Sequence, residues 1–244
     1  MARRVLVTGG RGVLGQQVVP QLLARGHHVR VFSRHPGGGG VQGDVRTGEG
    51  LGDAMDGIDT VVHAATNPRL RTRRTEVDGT RNVVAAARDA GAHIIYVSIV
   101  GVDQHRLPYY KAKYEAEEIV ETSPAQWTIQ RATQFHGLID MFLGYKLFPR
   151  TPNLAFQVVD AGDVATRLVD LVEAGPCGRA PDFGGPEVRG IRDLAEARER
   201  ITGRHARLFR APRIGPLKDF DDGHHLCPDH RDGQMTWEQW LESR

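Results

Sequence analysis

The residues whose spacing points most directly to chemistry open the chain. Thr8, Gly9, Gly10, Arg11, Gly12, Val13, Leu14 and Gly15 set three glycines in the pattern Gly9-x-x-Gly12-x-x-Gly15. An apolar run, Val5-Leu6-Val7, precedes them, and Leu14, Val18, Leu22 and Leu23 follow at helical spacing. Between a strand and a helix each glycine has a task. The first permits a tight turn, the second lets backbone approach a pyrophosphate, and the third lets helix and strand pack closely. The helix start adds free N–H donors and the positive end of its dipole. This stretch therefore predicts a dinucleotide site over Thr8 to Gly15. A second strand, residues 29–32, ends at Ser33-Arg34. A carboxylate there would accept from a ribose 2′-hydroxyl, whereas a cation suits a 2′-phosphate. Ser33 and Arg34, with Arg11 as a second positive contact, predict NADP(H) as cofactor. Asp44 and Val45, beyond the glycine run at 36–40, are expected near the adenine.

The elements that must hold these residues alternate in type. Apolar runs at 5–8, 29–32, 60–64, 94–98 and 127–130 read as buried strands. Helical patterns occupy 14–25, 76–90 and 108–120, the first two closed by Gly26 and Gly91 and the last opened by Pro108. Strand–helix alternation implies right-handed βαβ units and a mostly parallel sheet. Past Arg131 the rhythm weakens. One more strand and helix are expected at 158–160 and 164–172, and further helices near 191–202 and 236–242.

Composition narrows the function classes. The 32 Lys and Arg nearly balance 30 Asp and Glu, for a formal charge of +2, which argues against a dedicated nucleic-acid binder. No run of about 18 apolar residues exists to span a membrane. Only Cys177 and Cys227 occur, too few for a disulfide scaffold, so a reducing cytoplasm is the expected setting. Arg69, Arg71, Arg73 and Arg74 form a basic cluster that reads as a solvated loop. The segment from His224 to His230 carries no ligand spacing for zinc, so no metal is expected.

Taken together, the motifs resemble the atypical, NmrA-like NAD(P)H-binding branch of the short-chain dehydrogenase/reductase superfamily. The resemblance rests on the loop at 9–15 and on Val62-His63-Ala64-Ala65-Thr66, Val77-Asp78-Gly79-Thr80-Arg81-Asn82 and Tyr96-Val97-Ser98-Ile99-Val100-Gly101. It continues through Pro108-Tyr109-Tyr110-Lys111-Ala112-Lys113, Arg131-Ala132-Thr133-Gln134-Phe135 and Asp160-Ala161-Gly162-Asp163-Val164-Ala165, with a weaker echo at 236–241. It covers most of residues 1–170. It implies an α/β fold, a Rossmann-type doubly wound parallel sheet with a small C-terminal substrate-covering lobe. The expected core is 1–132 and 151–172, with 133–150 and 173–244 packed on it over the substrate.

The same resemblance implies a catalytic set at Ser98, Tyr109 and Lys113. Tyr109 and Lys113 stand four apart, so a helix puts them on one face. A free tyrosine titrates near 10, and a neighbouring ammonium favours its phenolate. Lys113 is also expected on the nicotinamide ribose, and Ser98 on the substrate carbonyl. Asp78 takes the place of the superfamily's asparagine and is expected beside Lys113. Ala64, Ala65 and Thr66 are expected against the ribose and nicotinamide, and Arg131, Ala132 and Thr133 along the nicotinamide. Ile99-Val100-Gly101 replaces the acidic pair of sugar-nucleotide dehydratases, which disfavours dehydration. The expected activity is hydride transfer with a small carbonyl or conjugated compound. The alternatives are a non-catalytic NADP(H) redox sensor and an epimerase. A small-molecule substrate is the expected partner, with no nucleic acid and no membrane, for a monomer or homodimer.

Overall fold

The computed structural model describes residues 1–35, 40–68 and 72–244. Most of the glycine run at 36–40 and two members of the basic cluster, Arg69 and Arg71, lie outside the described residues. In chain order the elements are β1 (Arg4–Thr8), α1 (Gly15–Ala24), β2 (His28–Ser33), β3 (Val41–Gln42), α2 (Leu51–Met55) and β4 (Thr60–His63). A π-helical turn, Arg74–Asp78, leads into α3 (Gly79–Asp89), then β5 (His93–Ile99), α4 (Pro108–Glu121) and β6 (Trp127–Ala132). There follow α5 (His136–Leu143), β7 (Phe148–Arg150), β8 (Ala155–Phe156), α6 (Ala161–Ala174), β9 (Gly178–Arg179) and β10 (Arg189–Gly190). The chain closes with α7 (Ile191–Thr202), β11 (Leu208–Arg210), α8 (Pro216–Asp221) and α9 (Trp237–Glu242).

Two compact units result. The first comprises residues 1–98, 111–130 and 165–180, the second 99–110, 131–164 and 181–244. Residues 99–110, 131–132 and 151–164, expected in the core, thus group with the second unit, and 173–180 with the first. The boundary crosses α4 between Tyr110 and Lys111.

The first unit carries a mostly parallel sheet in the order β3-β2-β1-β4-β5-β6-β9. Successive side chains alternate across it, because a strand's period is two. Leu6, Val61, Ile94 and Ile129 form a core with Ala54 of α2, Val83 and Ala87 of α3, and Ala116 and Val120 of α4. Val5, Val7, Val62 and Ile95 are equally buried and face the other way. There α1 and α6 are tied by Arg25 to Asp170 (2.8 Å) and Glu173 (2.7 Å), and by Thr166 to Gln21 (2.9 Å). Strand order reverses at β1 and β4, and α/β sheets bind ligands beyond the carboxyl ends of strands at such a point.

The second unit has its own core of Ile139, Leu143, Phe156, Leu194, Trp237 and Leu241. The indole N–H of Trp237 donates to Leu194 O (3.0 Å), and Thr236 with Gln239 forms a capping box that starts α9. The expected strand at 158–160 is not one; Val159 makes a single bridge to Phe135. Two small ribbons, β7 with β11 and β8 with β10, complete the unit.

Candidate functional site

The glycine turn is built where the strand order reverses. Thr8 and His63 are partners at the ends of β1 and β4. Gly9 takes φ +70°, a left-handed conformation that favours glycine. A Cβ there would lie 2.7 Å from Ala64 O and Ala65 N, and one on Gly15 would lie 2.3 Å from Gly9 O. Backbone, not flexible side chain, blocks both positions. Gly12 N donates to Gly9 O (2.8 Å), closing the turn. Helix α1 starts without a side-chain cap and with no acidic residue in its first turn, so its positive end is not neutralised from within. Val13 and Arg11 are exposed above it, while Leu14 is buried beneath. These features fit a pyrophosphate: glycines where a Cβ would collide, next to an uncapped helix start.

A chain of buried polar groups runs inward from this turn. Thr8 Oγ1 meets His63 Nδ1 at 2.7 Å, and His63 Nε2 meets Thr80 Oγ1 at 3.1 Å. Burial, with the Lys113 charge behind it, pushes His63 down to about 3, so the ring is neutral and bonded on both nitrogens. Ala65 N reaches Thr8 Oγ1 (3.4 Å). The segment that starts at Ala64 and Ala65 is thereby fixed against the glycine turn.

The chain ends at a buried ion pair. Thr66 Oγ1 and Asn67 N both donate to Glu76 Oε1 at 2.8 Å. Glu76 Oε2 stands 3.6 Å from Lys113 Nζ, and both residues are almost fully buried. Lys113 Nζ donates to Val97 O (2.6 Å) and lies 4.3 Å from the Tyr96 ring centroid. Desolvation lowers the Lys113 pKa, while Glu76 and Glu117 oppose that shift by favouring the ammonium. Ser98, one residue beyond Val97, is buried, and its Oγ has no hydrogen-bond partner among the described residues.

Asp78 does not occupy the place expected for it. Its side chain is half exposed and pairs with Arg81 (3.1 Å). Glu76 is the carboxylate that faces Lys113. The cause is local winding: Arg74–Asp78 forms a π-helical turn, whereas the periodicity of the sequence predicts an α-helix from Glu76 onward. Tyr109 is half-buried in the first turn of α4, one turn before Lys113, with its ring 6.1 Å from that of Tyr110.

The adenosine end is mixed. Ser33 ends β2 and Arg34 follows it, exposed. Arg34 lies near enough to help hold the Asp44 carboxyl below its usual range, although the Arg46 hydrogen bond is the larger cause. Asp44 is engaged by Arg46 through both Nε and Nη2. The Val45 side chain belongs to the sheet core, and its carbonyl accepts from Asn82 Nδ2 (2.8 Å). Both are therefore held by the protein itself.

Arg131, Ala132 and Thr133 lie in the second unit. Arg131 pairs with Asp103 (2.8 Å), Ala132 O accepts from Val100 N (3.1 Å), and Thr133 Oγ1 accepts from Gly185 N (3.3 Å). In the same unit Tyr110 Oη accepts from Gln134 Nε2 (3.1 Å), and burial raises the Tyr110 phenol well above its ordinary value. His136 stacks on Trp237 and Trp240. Among the described residues, no three His, Cys, Asp or Glu side chains are grouped to hold a metal ion.

Photosystem II assembly factor Ycf39 of Synechocystis is 26% identical over 230 residues, covering 86% of this chain and 71% of that protein. The 3-beta-hydroxysteroid dehydrogenase of Mycolicibacterium neoaurum is 40% identical over 107 residues, but the match covers 36% of this chain and 29% of the dehydrogenase. Among solved structures, a short-chain dehydrogenase/reductase superfamily protein from Agrobacterium tumefaciens with bound NAD superposes with a TM-score of 0.75 at 19% identity, covering 98% of this chain and 95% of that one. UDP-glucose 4-epimerase of Thermus thermophilus in complex with NAD gives 0.71 at 21%, covering 95% and 100%. At such identities the superpositions show the Rossmann-like fold. Residues 9–174 match the NAD(P)H-binding family, from the glycine turn through α6. The chain belongs to the NAD(P)H-binding family.

Proposed function

We propose that the protein is an NADP-dependent oxidoreductase that transfers a hydride to or from a small carbonyl or conjugated organic compound. One observation carries the reading. At the end of β5 a buried Ser98 hydroxyl, unpartnered among the described residues, adjoins Val97, whose carbonyl anchors the Lys113 ammonium. Leaving a buried hydroxyl unpaired costs roughly 1–3 kcal/mol, and a substrate carbonyl would restore the bond.

When bound, the dinucleotide supplies the hydride donor or acceptor. Gly9 to Gly15 would hold its pyrophosphate, Ala64 to Thr66 its ribose, and Ser33 with Arg34 the 2′-phosphate. Ser98 Oγ–H donates to the substrate carbonyl oxygen and orients the carbon for attack. Lys113 hydrogen-bonds the ribose, and its charge favours the phenolate of Tyr109, one helical turn away. Tyr109 Oη then gives its proton to the oxygen that becomes a hydroxyl. Glu76 is a positioning residue: it touches no reacting atom but fixes Lys113.

The test is NADPH oxidation over a panel of carbonyl compounds, with Ser98→Ala, Tyr109→Phe and Lys113→Met beside the parent. Turnover is expected, falling on the order of 100-fold in Ser98→Ala, the scale of one lost donor at a developing oxyanion. The melting temperature of that variant should not fall, because Ser98 Oγ has no hydrogen-bond partner to lose among the described residues. A parent inert to every compound, with Tyr109→Phe silent in cells, overturns the reading.

A second reading, a non-catalytic NADP(H) sensor, is favoured by one finding: the relative aligned over 86% of this chain is described as an assembly factor. Unequal affinities for NADP and NADPH without turnover would support it. The epimerase reading rests on fold likeness alone, and rapid exchange of bound dinucleotide would count against it.

A further inference from the structure

Between His28 and Gly48 the chain carries three arginines, Arg30, Arg34 and Arg46, and one carboxylate, Asp44. The first arginine is spent on the end of α2, where Arg30 Nη1 donates to Ala54 O (2.8 Å) and Asp56 O (3.0 Å). Strand pairing brings the other two together. β2 and β3 run parallel with Ser33 beside Gln42, and Gly43 N donates to Ser33 O (3.1 Å). Arg34 and the stretch from Asp44 to Arg46 therefore leave the sheet side by side at its carboxyl edge, where α/β sheets take ligands.

Asp44 grips Arg46 along one edge. Arg46 Nε donates to Asp44 Oδ1 (3.0 Å) and Oδ2 (2.9 Å), Nη2 to Oδ2 (2.5 Å), and the backbone N to Oδ1 (3.0 Å). A guanidinium carries its donors in a rigid planar fork, so holding one edge fixes the other. That other edge, Nη1, has no hydrogen-bond partner among the described residues, and the Arg46 side chain is 36% exposed. Backbone contacts fix the clamp in turn: Asp44 N donates to Glu49 O (3.1 Å), and Val45 O accepts from Asn82 Nδ2 (2.8 Å). Arg34 is exposed, and its side chain has no hydrogen-bond partner among the described residues. Its charge reaches Asp44 as well, which Arg46 chiefly and Arg34 in addition hold below the usual carboxylate range. Two guanidiniums thus share one carboxylate, which balances only one of them.

We propose, resting on the NADP(H) reading above, that Arg46 is a second specificity-determining residue for the adenosine 2′-phosphate beside Arg34, and that Asp44 is the positioning residue that orients it. A phosphomonoester is close to dianionic at neutral pH and accepts hydrogen bonds from planar forks in pairs. The free edge of Arg46 and the whole of Arg34 supply such donors, and their unbalanced charge favours a phosphate over an uncharged ribose hydroxyl. Asp44 does not repel the phosphate as a lone carboxylate would, because both of its oxygens are occupied by Arg46. Asp44 therefore serves the adenosine end through Arg46 and not by direct contact with the adenine.

The experiment is titration calorimetry of the full chain with NADPH, NADH and adenosine 2′-monophosphate. The parent is compared with Arg34→Gln, Arg46→Gln, Arg46→Lys and the double variant Arg34→Gln with Arg46→Gln. Arg46→Gln should weaken NADPH and adenosine 2′-monophosphate on the order of tenfold, the scale of one hydrogen bond to a charged group, and leave NADH within about twofold. Arg46→Lys keeps the charge without the fork and should recover part of the loss. The double variant should bind NADPH no better than NADH. A folding defect weakens both dinucleotides in proportion, so the ratio of their affinities carries the result. A ratio equal in Arg46→Gln and the parent overturns the proposal and leaves Arg46 only a partner of Asp44. So does a preference for NADPH that Arg34→Gln abolishes alone; in both cases the NADP reading stands. A parent that binds NADH as tightly as NADPH overturns that reading and this site with it.

Discussion

Lys113 and Glu76 each need the other. Two almost fully buried charges 3.6 Å apart are tolerable as a pair, and removal of one partner strands the other in a low-dielectric site. Glu76→Gln should therefore cost about 3 kcal/mol in urea unfolding. It should also act on proton chemistry. Glu76 opposes the desolvation that lowers Lys113, so its loss lets the lysine pKa fall further. The alkaline limb of the kcat profile should then move to lower pH, and Glu76→Asp should restore part of the shift. A lower melting temperature with an unmoved limb would leave Glu76 only structural. At the other end of the cofactor, Arg34→Asp should weaken NADPH at least tenfold in titration calorimetry and spare NADH, since only the former carries the 2′-phosphate. The glycine spacing made the turn at 9–15 legible in the bare chain, whereas Ser98 and Lys113 were singled out through the family resemblance. Glu76 was not legible, because counting along an α-helix directs attention to Asp78, and a π-helical turn leaves no mark in hydrophobic periodicity.

The glycine turn works as an element because it is fitted to a second one. Gly9 sits against the backbone of Ala64 and Ala65, and Thr8 bonds both His63 and Ala65 N. Gly9→Ala must therefore do more than strain a left-handed φ, which alone costs about 1 kcal/mol. It must push the end of β4 away. Dinucleotide affinity should fall more than tenfold and the melting temperature should drop. Gly26→Ala is the control: it shares the positive φ but has open space around it, so it should lose stability and keep affinity. The long strands and helices were readable from period and punctuation. The short ones were not: α2 and α8 span too few residues to show a helical repeat. The apolar run at 158–160 misleads in the opposite direction, since its partner, Phe135, supplies one bridge and no ladder.

At the scale of the molecule, acid is the expected weakness. Burial pushes His63 and His225 down to about 3, and His93, His105 and His136 down to about 4. In the unfolded chain each returns to the ordinary value near 6.5. Between about pH 4 and 6.5 the unfolded state binds more protons, so stability rises with pH across that window and is lost on acidification. Each imidazole can forfeit roughly 2 kcal/mol between pH 7 and 5. The midpoint of urea unfolding should fall steeply over that interval and stay level from pH 7 to 8. A flat midpoint from pH 7 to 5 would mean that the histidines are hydrated in solution. Composition foretold none of this, since eleven histidines in a sequence say nothing of how many are enclosed.

The π-helical turn also limits what length changes this chain can absorb. Every residue of an α-helix advances the side chains by about 100° around the axis. Deleting a single residue between Arg74 and Asp78 would tighten the coil into regular winding and swing the Glu76 carboxylate out of register with its ammonium. The following helix could survive that loss intact, which makes this stretch a place where a shortened protein folds and yet no longer works.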